Sequence, residues 1–295
     1  MSSMPPIYIP AYAKINLTLA VLGRREDGYH RLASVMQTIS LSDTLRIGVG
    51  GEDRFTCDVA ELSAPDNLVA RAAALLRAEA GRTDLTAEIE LHKEVPAQGG
   101  LGGGSSDAAT ALVALDTLWD LGMGMERLEW LAGRLGSDTP YLTHGGTALI
   151  GGRGEVVTPL PDAEPLWIVL VKPPVSISTS AVFSALSPAD YTDEADTEAV
   201  IAAIRGGEAL LFDRMTNALE RRVVDQYPEV RHARDSLFDL GAPFVKMSGS
   251  GPSLFSPFRA LGDAARLAAR AREREFEVWL CHTVTQGQVR ASRPR

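Results

Sequence analysis

Lysine is nearly missing from this chain. Of its 29 cationic residues only Lys14, Lys93, Lys172 and Lys246 are lysine. Arginine supplies positive charge almost everywhere else, so each lysine marks a place that favours a compact, adjustable ammonium over a planar fork. Cysteine is equally scarce. Cys57 and Cys281 stand far apart and without metal-ligand spacing, which argues against a disulfide framework or a cysteine-built zinc site. They read as reduced core residues of a cytoplasmic protein. No apolar run approaches the roughly 20 residues of a membrane span. Residues 1–10 carry neither the charged nor the apolar part of an export signal, so none is expected. The basic surplus of a general nucleic-acid binder is also missing, the formal net charge being −9 over 295 residues. An anionic small molecule stays compatible with that charge, because a site is able to be locally positive. With 45% hydrophobic and 23% charged residues, the chain reads as soluble and globular, long enough for one large or two ordinary domains.

Glycine, in contrast, is concentrated. The run Pro96-Ala-Gln-Gly-Gly-Leu-Gly-Gly-Gly-Ser-Ser-Asp107 places five glycines within positions 99–104 and is followed at once by an apolar helical pattern over Ala108–Leu121. Such a stretch loses chain entropy on ordering and packs almost nothing, which makes sense where backbone N–H groups close around an anion. The helix that follows adds four unpaired N–H groups and a positive dipole end. The natural ligand is a polyphosphate, and a nucleotide-using enzyme is the first expectation. The run is not a P-loop, since no lysine follows Gly104, nor a dinucleotide fingerprint, since Gly100-x-Gly102 meets Ser105 where the third glycine belongs. A flexible linker has similar composition, but linkers are rarely bounded by a strand (Thr86–Leu91) and a well-formed helix.

The rest of the chain interleaves strands and helices. Alternation over Tyr12–Leu22 predicts a half-buried strand, with Ile15, Leu17, Leu19 and Val21 on one face and Lys14, Asn16 and Thr18 on the other. A charged loop spans Gly23–His30, and strands are expected over Val35–Leu41 and Thr44–Val49. Asp66/Asn67 cap a helix over Leu68–Ala80, which Gly81 stops. A helix over Glu126–Leu135 ends at Gly136, and Thr147–Ile150 pairs with Glu155–Thr158 around a glycine-rich turn. The proline- and acid-rich stretch Pro159–Pro165 marks a domain boundary. Beyond it lie a buried strand, Leu166–Val171, and helices near Ser180–Leu186, Thr197–Ile204, Arg214–Val224 and Val230–Leu240. Short strands Phe244–Ser248 and Ser253–Phe258 flank Gly249-Ser-Gly251. A helix, Leu261–Arg274, and a strand, Phe276–Cys281, complete the pattern. The fold class is α+β, in two domains of residues 1–160 and 161–295.

Four further constellations are able to carry chemistry, and each also has a structural reading. Lys14 and Asn16 share a strand face, which is a solvated face or a catalytic one. Tyr29-His30 is a turn aromatic or a pair that sandwiches a flat base. Asp138, before Thr-Pro, is a good N-cap or a carboxylate base for a hydroxyl proton. Met247-Ser-Gly-Ser-Gly-Pro252 is a tight hairpin or a second nest of N–H groups facing phosphate.

Taken in order, these elements resemble the GHMP kinases, the superfamily of galactokinase, homoserine kinase, mevalonate kinase and phosphomevalonate kinase. Ala13-Lys-Ile-Asn-Leu17 is similar to its first motif, Pro96–Ser106 to its second and Met247–Pro252 to its third. Arg25-Glu-Asp-Gly-Tyr-His30, the string Gly99–Asp107, Leu135-Gly-Ser-Asp-Thr-Pro140, Gly152-Arg-Gly-Glu155 and Ile177–Phe183 narrow the resemblance. They resemble the branch that phosphorylates a cytidine-diphosphate ester of methylerythritol in the non-mevalonate isoprenoid pathway. The resemblance spans residues 11–258 and departs at Gln98, where a small residue is usual; altered packing at the loop entrance is expected there.

The resemblance implies a ribosomal-protein-S5-like N-terminal domain and a ferredoxin-like C-terminal domain, with ATP and Mg²⁺ as cofactors and a small-molecule substrate. It implies catalytic roles for Lys14 and Asp138, the carboxylate taking the hydroxyl proton and the ammonium stabilising developing negative charge. Pro96, Ala97, Gln98, Gly99, Gly100, Leu101, Gly102, Gly103, Gly104, Ser105 and Ser106 would form the nucleotide cradle, with Ser106 also a hydroxyl contact to the metal. Ser248, Gly249, Ser250 and Gly251 would join it as the second nest. Asn67 and Lys93 resemble positions near the adenosine end, although Asn67 also reads as a helix cap and Lys93 as a strand-end lysine. Asn16, Tyr29, His30 and Phe183 would hold the substrate, with Phe183 as the opposite wall of a cytosine clamp. Two other functions stay open: another superfamily kinase, against which the Tyr29-His30 loop argues, and a ligand sensor without turnover, against which Lys14, Asp138 and the three glycine motifs argue.

Overall fold

The computed structural model describes residues 5–294; part of the stretch expected to lack an export signal, residues 1–4, lies outside them. The chain builds two sheets. The first is seven-stranded and organised around one long strand, β3 (His30–Val49). Against β3 pair β1 (Ile7–Asn16), β2 (Ala20–Arg24), β5 (Ala87–His92) and β6 (Thr147–Gly151), all antiparallel. β4 (Arg54–Cys57) runs parallel to β5, and β7 (Val156–Pro159) forms a hairpin with β6. The second sheet is four-stranded and antiparallel, in the order β11 (Glu277–His282), β8 (Trp167–Lys172), β10 (Leu254–Phe258), β9 (Lys246–Met247). With helices between β8 and β9 and one helix between β10 and β11, it is a split βαβ arrangement.

Two of the expected strands, Val35–Leu41 and Thr44–Val49, are one. The register against β1 jumps from Tyr12↔Ser42 to Lys14↔Thr38, so the residues between bulge away from β1. They bond elsewhere: Ile39 bridges Thr283, and the Ser40 hydroxyl accepts from His282 N at 3.0 Å. A bulge bends and twists a strand without ending it. The expected strand Tyr12–Leu22, conversely, is broken. Leu19 leaves the sheet to bond Thr216 and Ala218, and β2 starts at Ala20.

Helix α1 (Leu68–Ala80) begins and ends where its signals lie. Asn67 Oδ1 accepts from Val69 N at 2.8 Å, and Gly81 closes the helix at φ +64°. Helix α2 starts earlier than its apolar pattern, at Gly103, and runs to Leu118. Ser106 to Asp116 are all buried in it, as expected of a helix packed on every side. α3 (Met125–Gly133) and α4 (Thr139–His144) follow. The second half adds α5 (Thr179–Ser184), α6 (Ala195–Gly206), α7 (Glu220–Gln226), α8 (Pro228–Asp239), α9 (Leu261–Glu273) and α10 (Gln286–Ala291).

The two sheets divide near residue 160, but their cores do not. Ile15, Leu17, Val35 and Ile39 of the first half share one hydrophobic cluster with Leu166, Ile168, Leu170 and Phe255 of the second. After β11 the chain returns to the first half, where Val284 N donates to Thr38 O on β3 and Arg293 donates to Leu142 O on α4. Cys281 is buried in the shared core, whereas Cys57 is only half buried on β4; both are free thiols. Among the described residues no helix is long and apolar enough to cross a membrane.

Candidate active site

A single cleft of about 1050 Å³ runs across the face where the glycine-rich segments meet. That volume exceeds a typical single-ligand pocket, which is the scale needed for two substrates. Lys14 and Asn16 lie at its floor. The face that carries them, expected as a possible solvated surface, is buried: each residue is only 3% exposed. Lys14 Nζ donates to Asn16 Oδ1 at 2.8 Å and lies 3.4 Å from Asp138 Oδ2. Asn16 donates in turn to Ser34 Oγ at 2.8 Å, which donates to Thr18 O. Because β3 bulges away at this point, Lys14 N is free to donate to Leu101 O in the glycine run at 2.9 Å. The strand that carries Lys14 and the glycine run are thereby one hydrogen-bonded unit.

Asp138 occupies the N-cap of α4, but its side chain makes no capping bond. Its carboxylate instead faces Lys14 and stays 32% exposed toward the cleft. A short residue at this position would ordinarily be used by the helix; here the charge is left for something else.

The glycine run lines the cleft from Pro96 to Ser105. Gly100 sits at φ +73°, and a Cβ there would fall 2.2 Å from Ser248 O, so only glycine fits. Gln98 takes φ +52°, a conformation that disfavours side chains, but it is exposed at the loop entrance, and that exposure leaves room for its side chain where a small residue is usual. Ser106 is not brought to the cleft. It is buried and donates to Tyr12 O at 2.7 Å, a bond that ties the start of α2 to β1. Ser105, one residue earlier, lines the cleft. Among the described residues no group of three metal-ligating His, Cys, Asp or Glu side chains converges.

The third motif packs on the second. Ser248 Oγ donates to Gly100 O at 3.0 Å, and a Cβ on Gly249 would sit 3.3 Å from both Lys14 Nζ and Asn16 Oδ1. Gly249 and Ser250 line the cleft, while Ser248 and Gly251 stand behind it. Ser250 Oγ shares a 2.8 Å hydrogen bond with Thr179 Oγ1 on α5.

Lys93 lines the cleft, but its ammonium is engaged by two carboxylates. It donates to Asp43 and to Asp107 Oδ2, all three side chains being buried. Burial opposes the Lys93 charge, but the two carboxylates outweigh it and its pKa is raised. Asp107 is pushed well above the usual carboxylate range by burial first and then by the neighbouring Asp43. Asp43 Oδ1 also accepts from Glu94 N and Val95 N, fixing the entrance of the glycine run. Sequence reasoning missed Asp43 and gave Asp107 no role; the rarity of lysine was the available signal, since a buried ammonium requires buried carboxylates. Asn67, at the cleft edge, has its amide committed to the α1 cap and to Leu62 O at 2.8 Å, so the cap reading holds.

At the other end of the cleft lie Tyr29, His30 and Phe183. His30 is buried, with its ring centroid 5.6 Å from Phe183 and 5.9 Å from Tyr191. The His30 ring is tilted against Phe183 and edge-on to Tyr191, and at that spacing no third ring fits between them, so His30 packs as part of an aromatic pocket. Its Nε2 has no hydrogen-bond partner among the described residues. Burial, then the charge of Arg24, lowers the His30 pKa, which favours the neutral ring. Tyr29 is 52% exposed, and the Arg153 guanidinium stands 4.9 Å from its ring. Arg153 belongs to the glycine-rich turn singled out in the sequence, where it had no assigned role.

The geometry therefore brings together a backbone anion cradle, a carboxylate–ammonium pair and an aromatic pocket. Comparison with known proteins gives the same picture. Residues 67–146 match the family described as GHMP kinases N terminal domain, and residues 199–277 match GHMP kinases C terminal. A 4-diphosphocytidyl-2-C-methyl-D-erythritol kinase of Pelotomaculum thermopropionicum is 45% identical, covering 92% of this chain and 96% of its own. One from Listeria monocytogenes is 37% identical over 96% and 97% of the two chains. A crystal structure of a 4-(cytidine 5'-diphospho)-2C-methyl-D-erythritol kinase superposes with a TM-score of 0.81 at 33% identity, covering 94% of this chain and 99% of that one. A homoserine kinase from Cytophaga hutchinsonii, at 17% identity and a TM-score of 0.72 with 97% and 96% covered, shares the fold.

Proposed function

The chain belongs to the GHMP kinases and, within them, to the 4-diphosphocytidyl-2-C-methyl-D-erythritol kinases, and from that premise we propose how its cleft residues move the γ-phosphoryl group of ATP to the 2-hydroxyl of the cytidyl substrate. The observation that carries the proposal is the placement of Asp138. It is an N-cap residue that does not cap, paired with Lys14 at 3.4 Å, between the glycine cradle and the aromatic pocket.

Phosphoryl transfer passes through a loose transition state, so alignment and charge neutralisation carry most of the catalysis. The donor triphosphate would lie on the backbone of Gly99–Gly104 and the N-terminus of α2, with Gly249 and Ser250 closing from the second sheet. Asp138 would accept the proton of the attacking hydroxyl. Lys14, held by Asn16, would stabilise the charge that develops on the transferring group. Asn16 supports its neighbour and offers the substrate a polar contact. Mg²⁺ fits this donor set as a hard cation held mainly by nucleotide phosphates. The hydroxyl of Ser105 would be the protein ligand, and the ion would neutralise phosphate charge. Ser105 is preferred to Ser106 for that role because Ser106 is buried and does not line the cleft.

Tyr29 and Phe183 would stack on the cytosine ring, and the unpaired Nε2 of His30 would meet a base edge. A buried nitrogen without a partner costs free energy that a bound base would recover. Arg153 reinforces Tyr29 from behind. The same reading divides the chain into a donor-side unit, 1–160, and a unit, 161–295, that contributes Phe183 and the third motif. It also makes the enzyme a cytoplasmic one, in keeping with two unpaired thiols.

The test is ADP release with Mg-ATP, offering 4-diphosphocytidyl-2-C-methyl-D-erythritol, mevalonate and homoserine in parallel. Turnover with the cytidyl compound alone is expected. Turnover with another alcohol would keep the phosphate site and overturn the pocket assignment. ATP binding without any turnover would favour a ligand sensor.

A further inference from the structure

The turn Met247–Pro252 is short and glycine-rich, with the Ser248 and Ser250 hydroxyls as its own side-chain anchors. Gly249 takes φ +57° and Gly251 φ +78°, so the segment depends on outside groups to hold one conformation. Besides Gly100 and Thr179, which bond the two serine hydroxyls, the groups that grip its backbone come from one stretch just before and at the start of α7. Asn217 Nδ2 spends both protons on the turn, donating to Met247 O at 2.9 Å and to Gly249 O at 2.8 Å. Its Oδ1 accepts from Leu219 N at 2.9 Å, which fixes the orientation of the amide. Glu220, one turn on, accepts from Met247 N at 2.8 Å. The backbone of Met247 is thus gripped at both its N–H and its C=O.

The gripping segment is itself tied to the catalytic strand. Leu19 N donates to Thr216 O and Ala218 N to Leu19 O, each at 2.8 Å. Leu19 lies three residues beyond Asn16 on the chain that carries Lys14. On the opposite side of the turn, Gly249 rests against Lys14 and Asn16. Asn217 therefore spans the gap between the catalytic strand and the turn that covers it, without lining the cleft.

We propose that Asn217 is a positioning residue for phosphoryl transfer: it sets the backbone of Gly249 and Ser250 at the distance from Lys14 that the donor phosphates require. This rests on the reading of the turn as a phosphate nest, so the test must separate the two.

Asn217→Asp is the informative variant. It keeps the shape and the acceptor for Leu219 N, loses both donors, and sets a carboxylate against two carbonyl oxygens. ATP binding measured by calorimetry is expected to weaken about tenfold or more at about pH 8. Affinity for the cytidyl ligand without nucleotide stays within about twofold. Lowering the pH toward about 6 should restore part of the ATP affinity, because a carboxyl crowded by acceptors takes up a proton readily and regains one donor. Asn217→Ala should show the loss without the recovery. Asn217→Ser, which adds no charge and keeps one donor, should fall between wild type and Asn217→Ala, and it supplies the comparison if the aspartate variant does not fold. Wild-type ATP affinity in these variants overturns the proposal. So does a pH-independent loss that affects both ligands equally and tracks a lowered Tm, since that is a purely structural role. Gly249→Val separates the premise: if it binds ATP normally, the turn is not a phosphate nest and the proposal falls with it; if it loses ATP while Asn217→Asp does not, Asn217 alone is wrong.

Discussion

Asp138 Oδ2 lies 3.4 Å from Lys14 Nζ, although Asp138 stands at a helix N-cap whose N–H groups would otherwise claim it. The pair joins β1 to the start of α4 across the floor of the cleft. Replacing Asp138 with Asn keeps the shape and removes the carboxylate proposed as the base. Turnover should fall by about 10²–10⁴-fold, the range of a positioned general base. ATP affinity should stay close to wild type, because the glycine cradle is untouched. Single-turnover kinetics with a nucleotide-binding titration would decide it, and wild-type turnover would remove Asp138 as the base.

Tyr29 is the most exposed member of the aromatic pocket, backed by Arg153 at 4.9 Å. Base–aromatic stacking is worth about 1–3 kcal/mol per base. Tyr29→Ala should therefore raise the KM for the cytidyl substrate about tenfold and leave that for ATP nearly unchanged. Equal effects on both would sink the clamp. Phe183→Ala should act in the same direction and more broadly, since it also removes the ring against which His30 packs.

How much of this was legible depends on the kind of interaction. Helix α1 was readable because Asn67 and Gly81 are local signals and the structure uses both. The glycine run, Lys14, Asp138 and the Tyr29-His30 loop were each ambiguous alone and were readable together only through the resemblance their order carries; the structure gathers them on one cleft. The continuity of β3 was not readable. Its bulge is stabilised by Thr283 and His282, which lie more than 240 positions away. Asp43 and Asn217 were invisible for the same reason: each acts on a segment remote in sequence. Ser106 misled because two adjacent serines at a helix start point in different directions, and only packing decides which one meets the cleft.

Gly100 tests the cradle more sharply than Gly103. A Cβ at Gly103 would crowd Val95 and Lys93 at 3.0 and 3.4 Å, on the inner side of the loop. A Cβ at Gly100 would fall 2.2 Å from Ser248 O, at the contact between the second and third motifs, and its φ is +73°. Even Gly100→Ala should separate the two motifs. ATP affinity should drop by about tenfold or more, at a strain of about 1–3 kcal/mol from the backbone alone. Cytidyl binding in the absence of nucleotide should change little. Tight ATP binding by this variant, read by isothermal titration, would show that the loop is not the anion site.

The buried group Asp43–Lys93–Asp107 gives a prediction with a definite sign. One ammonium serves two carboxylates, so burial and Asp43 raise the pKa of Asp107 well above its ordinary value. A carboxyl whose folded pKa exceeds its unfolded value takes up a proton on folding. The stability it contributes is then greatest at low pH and declines as pH rises from the unfolded value of about 4 through the folded one. Asp107→Asn removes that decline and leaves Lys93 with Asp43 as a balanced pair. The variant should match wild type in Tm near pH 4 and exceed it increasingly at neutral and alkaline pH. Lys93→Met should do the reverse, since it leaves two buried carboxylates without their cation, at a cost of about 3–5 kcal/mol. Thermal melts of the three proteins across pH 4–9 check the sign. If Asp107→Asn were instead less stable, by a margin that widened with pH, the ionised Asp107 would be a net stabiliser and the shared-ammonium account would be wrong.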